Sequence, residues 1–416
     1  LMGSRQAGKS SLMFLLLDFL IQEKQIPLRQ LFYFDLENLI FVEELNKIKN
    51  FERFVELLQT EGAVIDQRIF VFIDEIQYLD HPSSLLKYVY DHYKGIIKFI
   101  VSGSSTLEIK QKFTDRLTGR AHPFIINPLN FYEYAAFRQA SPIVSFKKEF
   151  RFMSILENGA PKMAAGGVML EEIARQFEQF VLFGGYPGVA LKYERNDLQK
   201  EDLSALYSMY VRKDIKDIGN IDDTKGFNNM VGMLAHQIGS LVNESELSVS
   251  AGLSRPTVRK YLALLENTFV CSLLRPFFTN ARLEYSKMPK VYFLDTGLRN
   301  AVVNNFTPLD RRVDMGHIIE NVVYSELIKQ IPNAWEAHFW RSERRAEVDF
   351  VIKSGETDFI PIEVKYQRFA RPVIPSGLRA FIKRYSPSIA YVITKDFWGK
   401  ERVEKTKIFF LPAFAV

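Results

Sequence analysis

Short apolar runs closed by polar residues alternate with stretches of helical period along the first third of this chain. Leu12–Gln22, LMFLLLDFLIQ, reads as an amphipathic helix, and Gln30–Asn38 reads as a strand with an acidic end. A helical stretch is expected from about Phe41 to Gln59. Arg68–Gln77, RIFVFIDEIQ, sets five apolar residues before two acids. That pattern marks a fully buried parallel strand opening onto a ligand edge. A helix over Pro82–Tyr93 leads to another buried strand, Ile96–Val101, which ends in Ser102-Gly103-Ser104-Ser105. Strands alternating with helices predict an α/β fold with a parallel sheet.

Helical segments are expected at about Phe146–Leu156, Leu170–Phe183 and Leu203–Ile218, with a tight turn at Gly184-Gly185-Tyr186-Pro187-Gly188 whose default role is packing. From His236 to Leu265 the pattern is helix, glycine-containing turn, second helix. Ser254 is the expected N-cap, and Val258, Tyr261, Leu262 and Leu265 share the core face. Strand-like Val270–Phe277 and Lys290–Phe293 would supply a wing. Beyond residue 300, a helix over Gly316–Leu327 precedes a strand-like stretch from Phe339. Alternating strands follow at Glu347–Ile352 and Ile360–Tyr366, joined by a turn at Ser354-Gly355, then a helix near Leu378–Tyr385 and a strand at Ile389–Thr394.

Composition adds little to the pattern. The 416 residues suggest two or three domains, and 47% apolar with 25% charged residues is ordinary for a globular protein. A net charge of +5 is compatible with nucleic acid without pointing to it. The single cysteine, Cys271, excludes an internal disulfide and fits a reducing, cytoplasmic setting. The apolar run near Leu12–Ile21 is broken by Asp18 and is too short to span a bilayer, so no membrane partner is expected. Nothing in the chain reads as a signal peptide, lipidation motif, repeat or low-complexity tract.

The candidate chemistry begins at the first glycine. Gly3-Ser4-Arg5-Gln6-Ala7-Gly8-Lys9-Ser10, followed by Ser11, fits G-x-x-x-x-G-K-[ST]. Such a loop wraps backbone N–H groups around phosphates, with its lysine on the terminal phosphates and its hydroxyl on Mg²⁺. Only Leu1 and Met2 precede Gly3, so the strand that ordinarily leads into the loop is expected to be truncated. Asp74 would hold Mg²⁺ together with Ser10, and Glu75 would polarise the attacking water. Ser102, Ser104 or Ser105 would sense the γ-phosphate, helix capping being the other reading. Arg120, in Leu117-Thr118-Gly119-Arg120, would serve as an arginine finger or be a surface arginine, and Arg116 stays unassigned.

Two further sets stand out. Arg255, Arg259 and Lys260 lie opposite the core face of the second helix, which would place them on a DNA major groove or, alternatively, in solvent. From Leu234 to Asp295 there are seven Lys/Arg against five Asp/Glu, a weak surplus. In the last segment, Glu363 and Lys365 share one strand face and Asp349 lies on the neighbouring strand. Acid followed by E-x-K is how one class of nucleases holds Mg²⁺ through its carboxylates, here Asp349 and Glu363, with Glu320 completing the acidic set. A cross-strand ion pair is the competing reading.

GSRQAGKSSL, FIDEIQYL, FIVSGSS, LTGR and NPLNFYEY resemble the AAA-type domain of a widespread prokaryotic ATPase family that joins an ATPase to a C-terminal region. The GGYP turn and the KxYFxDxGL stretch Lys290–Leu298 are similar to the same family. Family members often carry proline after the first loop glycine and Thr-Thr after the lysine, where this chain has Ser4 and Ser10-Ser11. The resemblance extends to the initiator-like AAA branch, in which a winged helix follows the ATPase, and the last segment looks like the restriction-endonuclease and junction-resolvase fold. It implies a P-loop AAA-type core over 1–135, a helical lid or linker over 136–225, a winged helix over 226–298 and a restriction-endonuclease-like α/β domain over 299–416. The implied function is ATP binding and hydrolysis controlling a DNA-binding, nuclease-like region. The alternative is a nucleotide-gated DNA- or protein-binding switch whose nuclease fold is catalytically silent. Expected cofactors are ATP and Mg²⁺, with a second Mg²⁺ or Mn²⁺ at the C-terminal set. DNA, a protein partner or further copies of the chain are the expected partners.

Overall fold

A computed structural model describes residues 1–48, 50–103, 119–140, 143–144, 152–158, 167–209, 221, 223–278, 284, 287–343 and 345–416. The chain divides into two compact units, Leu1–Asn127 with Asn267–Phe269, and Pro128–Glu266 with Val270–Val416.

The first unit alternates helix and strand: α1 (Lys9–Gln22), β1 (Leu31–Asp35), α2 (Leu39–Asn46), α3 (Glu52–Thr60), β2 (Ile69–Asp74), α4 (Pro82–His92) and β3 (Ile97–Val101). The strands form a parallel sheet in the order β1-β2-β3. Met2 extends it by parallel bridges to Gly103 and to Ile125. The stretch entering the glycine loop therefore lies beside β3, so that β3 separates it from β2 and Asp74. The core of this unit includes Phe54, Leu58, Ile69, Val71, Ile73 and Val89. The α/β expectation holds here, and the three strands fall where the apolar runs placed them. The single helix expected from Phe41 to Gln59 is instead two. The Asn50 side chain accepts a hydrogen bond from the Glu52 N–H (3.1 Å) and restarts the chain into α3.

The second unit opens with α5 (Phe131–Phe137), α6 (Phe152–Asn158), α7 (Gly167–Phe183), α8 (Pro187–Ala190), α9 (Asn196–Met209) and α10 (Thr224–His236). Next come α11 (Glu244–Ala251) and α12 (Arg255–Asn267), separated by Gly252 at φ 71°. Ser254 caps α12 by accepting from the Thr257 N–H (3.3 Å), and Val258, Tyr261, Leu262 and Leu265 are buried as their spacing required. β4 (Cys271–Leu274) and β5 (Lys290–Phe293) form an antiparallel pair. β4 is shorter than the expected Val270–Phe277. Pro276 cannot donate a ladder bond, and the chain then joins another strand, with Phe277 N–H donating to Phe339 O (2.6 Å). α13 (Thr296–Val302) and α14 (Met315–Gln330) lead to a mixed sheet. Its strands are β6 (Glu336–Arg341), β7 (Glu347–Lys353), β8 (Phe359–Val364), β9 (Ile389–Thr394), β10 (Gly399–Val403) and β11 (Thr406–Pro412), with α15 (Ser376–Tyr385) between β8 and β9. Their order is β10-β11-β9-β8-β7-β6, with β8, β9 and β11 parallel to one another. The hairpin β10–β11 was not foreseen, because GKERV is a polar edge strand without apolar alternation. No helix among the described residues is long and apolar enough to cross a membrane.

Three motifs converge inside this unit. Asp295, ahead of α13, accepts from the backbone N–H groups of Gly185 (2.7 Å) and Leu298 (2.9 Å). Gly185 O in turn accepts from Leu129 N–H (2.8 Å). Gly184 is left-handed at φ 73°, and a Cβ there would collide with the Asp295 carboxylate. The packing role expected of the Gly184–Gly188 turn is what this junction shows.

Candidate functional site

The glycine loop owes its shape to two backbone positions. Gln6 (φ 57°) and Gly8 (φ 99°) are left-handed, turning the chain back on itself just before α1 starts at Lys9. At Gly3 a side chain would collide with the Ile126 carbonyl, so the backbone there needs glycine. Lys9 is buried, and its ammonium donates to the loop carbonyls of Gly3 (3.1 Å) and Ser4 (3.0 Å). Ser4 is fully buried, and its hydroxyl has no hydrogen-bond partner among the described residues. A buried cation and an unsatisfied hydroxyl inside a loop that opens at a helix N-terminus fit a polyphosphate. Ser10 is half-buried at the second position of α1, and Ser11 is exposed.

Asp74 ends β2, and its carboxylate is held from two sides. The Ser102 hydroxyl donates to one oxygen, and the Tyr33 hydroxyl donates to the other (2.8 Å). Burial, then the Asp74 hydrogen bond, pushes the Tyr33 hydroxyl well above its usual range, so it remains a donor. Glu75 is left-handed (φ 53°), a conformation that costs a non-glycine residue about 1–3 kcal/mol. Its N–H donates to Asp74 Oδ1 (3.1 Å) and Ser102 Oγ (3.1 Å), and its carboxylate accepts from the Gln77 amide. Ser102 thus gives its hydroxyl to Asp74. Ser104, Ser105 and Arg116 lie outside the described residues. Arg120 sits on the surface, with its Nε 3.0 Å from Asp91. Tyr33 and Gln77 escaped sequence reasoning, although Tyr33 shares the acidic-ended strand that was read.

In the second unit, Asp349 on β7 and Glu363 on β8 come together. The register Phe350↔Ile362 carries Asp349 alongside Glu363, and Asp349 accepts from the Val364 N–H (2.8 Å). Lys365 Nζ is 2.7 Å from Glu363 Oε1, while Glu363 Oε2 is buried with no hydrogen-bond partner among the described residues. Burial, then repulsion from Glu320, pushes Asp349 above the carboxylate range, and burial with Asp349 beside it does the same for Glu363.

Glu320 reaches this set from α14 but faces a different partner. Lys290 on β5 places Nζ 3.3 Å from Glu320 Oε1 and 2.6 Å from Glu347 Oε1, and the Tyr292 hydroxyl donates to Glu320 (2.6 Å). Asn321 locks β5 to α14 by bonding both the N–H (2.8 Å) and the carbonyl (2.7 Å) of Phe293. Among the described residues, no three His, Cys, Asp or Glu side chains converge as a metal-holding group. Lys290 and Tyr292 on β5, and Glu347 at the start of β7, are not among the residues that sequence reasoning assigns to the site. All four β5 residues are buried, and the period of two that places Lys290 and Tyr292 on one face was the available signal. On α12, Arg255 and Lys260 are exposed, and Arg259 pairs with Glu244 (2.6 Å).

Comparisons with known proteins bear on each part. Residues 1–135 match a family described as an AAA domain. Residues 174–309 and 315–414 match two domains of unknown function, DUF8612 and DUF4143. An uncharacterized protein of Haemophilus influenzae is 22% identical over 370 residues, which cover 88% of this chain and 81% of that protein. One from Methanocaldococcus jannaschii is 26% identical over 369 residues, covering 86% of this chain and 73% of the relative. One from Mycobacterium tuberculosis is 30% identical over 152 residues, 36% of this chain and 33% of the relative. Among solved structures, the Aeropyrum pernix ORC1 protein in complex with DNA aligns with a TM-score of 0.32 at 10% identity, covering 73% of this chain and 86% of that one. The chain carries an AAA-type P-loop ATPase domain at its N-terminus and a domain of unknown function at its C-terminus.

Proposed function

We propose that this chain binds and hydrolyses ATP at the Gly3–Ser11 loop, and that its nucleotide state governs a C-terminal region that engages DNA. The observation that carries the ATPase reading is the pairing of a buried Lys9 in a loop at a helix N-terminus with Asp74-Glu75 at the end of a parallel strand of the same unit. Lys9 would turn from the loop carbonyls to the terminal phosphates, and the loop N–H groups would take the remaining charge. Mg²⁺, where bound, supplies charge neutralisation of the phosphates. Ser10 and Asp74 would hold it, with Tyr33 and Ser102 fixing the Asp74 carboxylate. Glu75, tethered by Gln77, would orient and deprotonate the attacking water. Ser104 is proposed as the γ-phosphate sensor. Arg120 would act as a finger only after leaving Asp91.

The test separates binding from hydrolysis. Glu75→Gln is expected to keep ATP affinity within about twofold of the parent and to lose roughly 10²–10⁴-fold in turnover. Equal turnover by Glu75→Gln removes the general-base assignment.

For the C-terminal region, Arg255, Arg259 and Lys260 would meet phosphates, and Asp349, Glu363 and Lys365 with Glu320 would form a Mg²⁺- or Mn²⁺-dependent nuclease centre. A second reading, binding of DNA or a protein without cleavage, is favoured by the engagement of Glu320 with Lys290 and Tyr292. Incubation of linear, nicked and branched DNA with Mn²⁺ decides between them. No cutting by the parent, or equal cutting by Glu363→Ala, leaves the binding reading.

A further inference from the structure

We propose that Lys290 is the resident cation of the C-terminal acidic centre, filling the place at Glu320 that a divalent metal would need. The centre then takes a divalent cation through Asp349 and Glu363 alone. The inference rests on the acidic set being a site, and it goes beyond the nuclease reading by dividing that set in two.

Four carboxylates gather here, and they are not equivalent. Glu320 and Glu347 share the Lys290 ammonium, 3.3 Å from one and 2.6 Å from the other, and Glu320 also takes the Tyr292 hydroxyl. The Lys290 side chain is only 4% exposed. A buried ammonium must be paired, and these two acids pair it. Burial disfavours its charge, but Glu320, Asp349 and Glu347 together outweigh that and hold the lysine charged. An ammonium and a divalent cation cannot share Glu320 Oε1 without strong repulsion. The remaining pair is different. Glu363 Oε2 is buried beside Asp349 and has no hydrogen-bond partner among the described residues. Its neighbour Lys365 is 42% exposed and occupies only Oε1.

Lys290 also arrives from a telling place. It begins β5, the partner of the strand that follows α12, and Asn321 fastens that strand to the helix carrying Glu320. β5 thus sets which carboxylates are open to a metal.

The test measures Mn²⁺ binding to nucleotide-free full-length protein by the electron paramagnetic resonance of free Mn²⁺, with folding checked by circular dichroism. Glu363→Gln is expected to weaken the parent's affinity at least about tenfold, and Glu320→Gln to change it far less. Lys290→Met is expected to gain about tenfold or more, and adding Glu320→Gln is expected to abolish that gain. A folded Lys290→Met protein without tighter binding overturns the proposal. So does a parent whose affinity falls about tenfold in Glu320→Gln. Should Lys290→Met not fold, parent binding that depends on Glu363 and not on Glu320 supports the proposal, and any other pattern overturns it. DNA cleavage assayed on the same variants keeps the two ideas apart. The binding pattern without cleavage retires the nuclease and retains Lys290 as the cation. Cleavage and Mn²⁺ binding that both need Glu320 do the reverse.

Discussion

Asp74 illustrates how much of a candidate site lies in the residues around its acids. Its carboxylate is aimed by two hydroxyls from different strands, Tyr33 on β1 and Ser102 just beyond β3. Removing such an orienting donor typically costs 10–100-fold in metal affinity. Ser102→Ala is therefore expected to weaken Mg²⁺-ATP binding by roughly tenfold while leaving nucleotide binding without Mg²⁺ little changed. Titrating a fluorescent ATP analogue with and without Mg²⁺ checks this. An equal loss in both conditions would mean that Ser102 touches the nucleotide itself, as the sensor reading held. At Gly184 the constraint is steric. A side chain would have to adopt φ 73° and push into the buried Asp295 carboxylate. Gly184→Ala is expected to lose about 2–5 kcal/mol of stability, combining left-handed strain with overpacking. A urea midpoint equal to the parent's would remove that account.

At the scale of elements, α11 and α12 are joined through the left-handed Gly252, and α12 buries the core face that its spacing identified. Leu265→Ala, in that core, is expected to cost about 2–5 kcal/mol in unfolding free energy. The exposed pair Arg255 and Lys260 bears on binding instead. Replacing both with alanine is expected to weaken DNA binding about equally across sequences and to flatten the slope of log affinity against log salt by about 2. An unchanged slope assigns those side chains to solvent. Elements with strong apolar periodicity were legible beforehand: β2 by its unbroken apolar run, α12 by its spacing, and β7 and β8 by alternation, while β3, interrupted by the exposed Lys98, is only partly buried rather than the buried strand expected. The rest was not, for particular reasons. The α2–α3 break falls at a turn in which Asn50 accepts from Glu52 N–H, β4 stops just before a proline, and β10 is a polar edge strand. Within the candidate sites, the loop, Asp74, Glu75, Asp349, Glu363 and Lys365 were readable because each is local in sequence. Lys290 and Tyr292 were not, since their partner Glu320 lies about 30 residues away and only tertiary packing brings them together.

Over the whole molecule, the second unit holds a half-buried carboxylate, Asp314, whose pH-dependent charge joins the buried Arg299 and Arg312. Asp314 bonds Arg312 through both oxygens (2.8 and 2.9 Å) and meets Arg299 (2.8 Å). The Arg312 hydrogen bonds and the Arg299 charge outweigh partial burial and hold Asp314 well below the usual carboxylate range. A carboxyl with a lowered folded value stabilises the protein above its unfolded value, and that stabilisation fades as pH falls through the folded one. The stability gap between the parent and Asp314→Asn is therefore expected to be full at pH 7 and to shrink below about pH 4, the unfolded value of aspartate. Urea unfolding at several pH values measures it, and a gap that stays constant into acid would contradict the assignment.

The central claim is that the loop closed by Lys9 is an ATP site. It is tested most directly by equilibrium binding of labelled ATP to the full chain and to Lys9→Ala. Loss of a charge-assisted contact of about 1.5–3 kcal/mol predicts a rise in Kd of roughly ten- to a hundredfold. Lys9→Ala protein that is folded and binds ATP as tightly as the parent would contradict it.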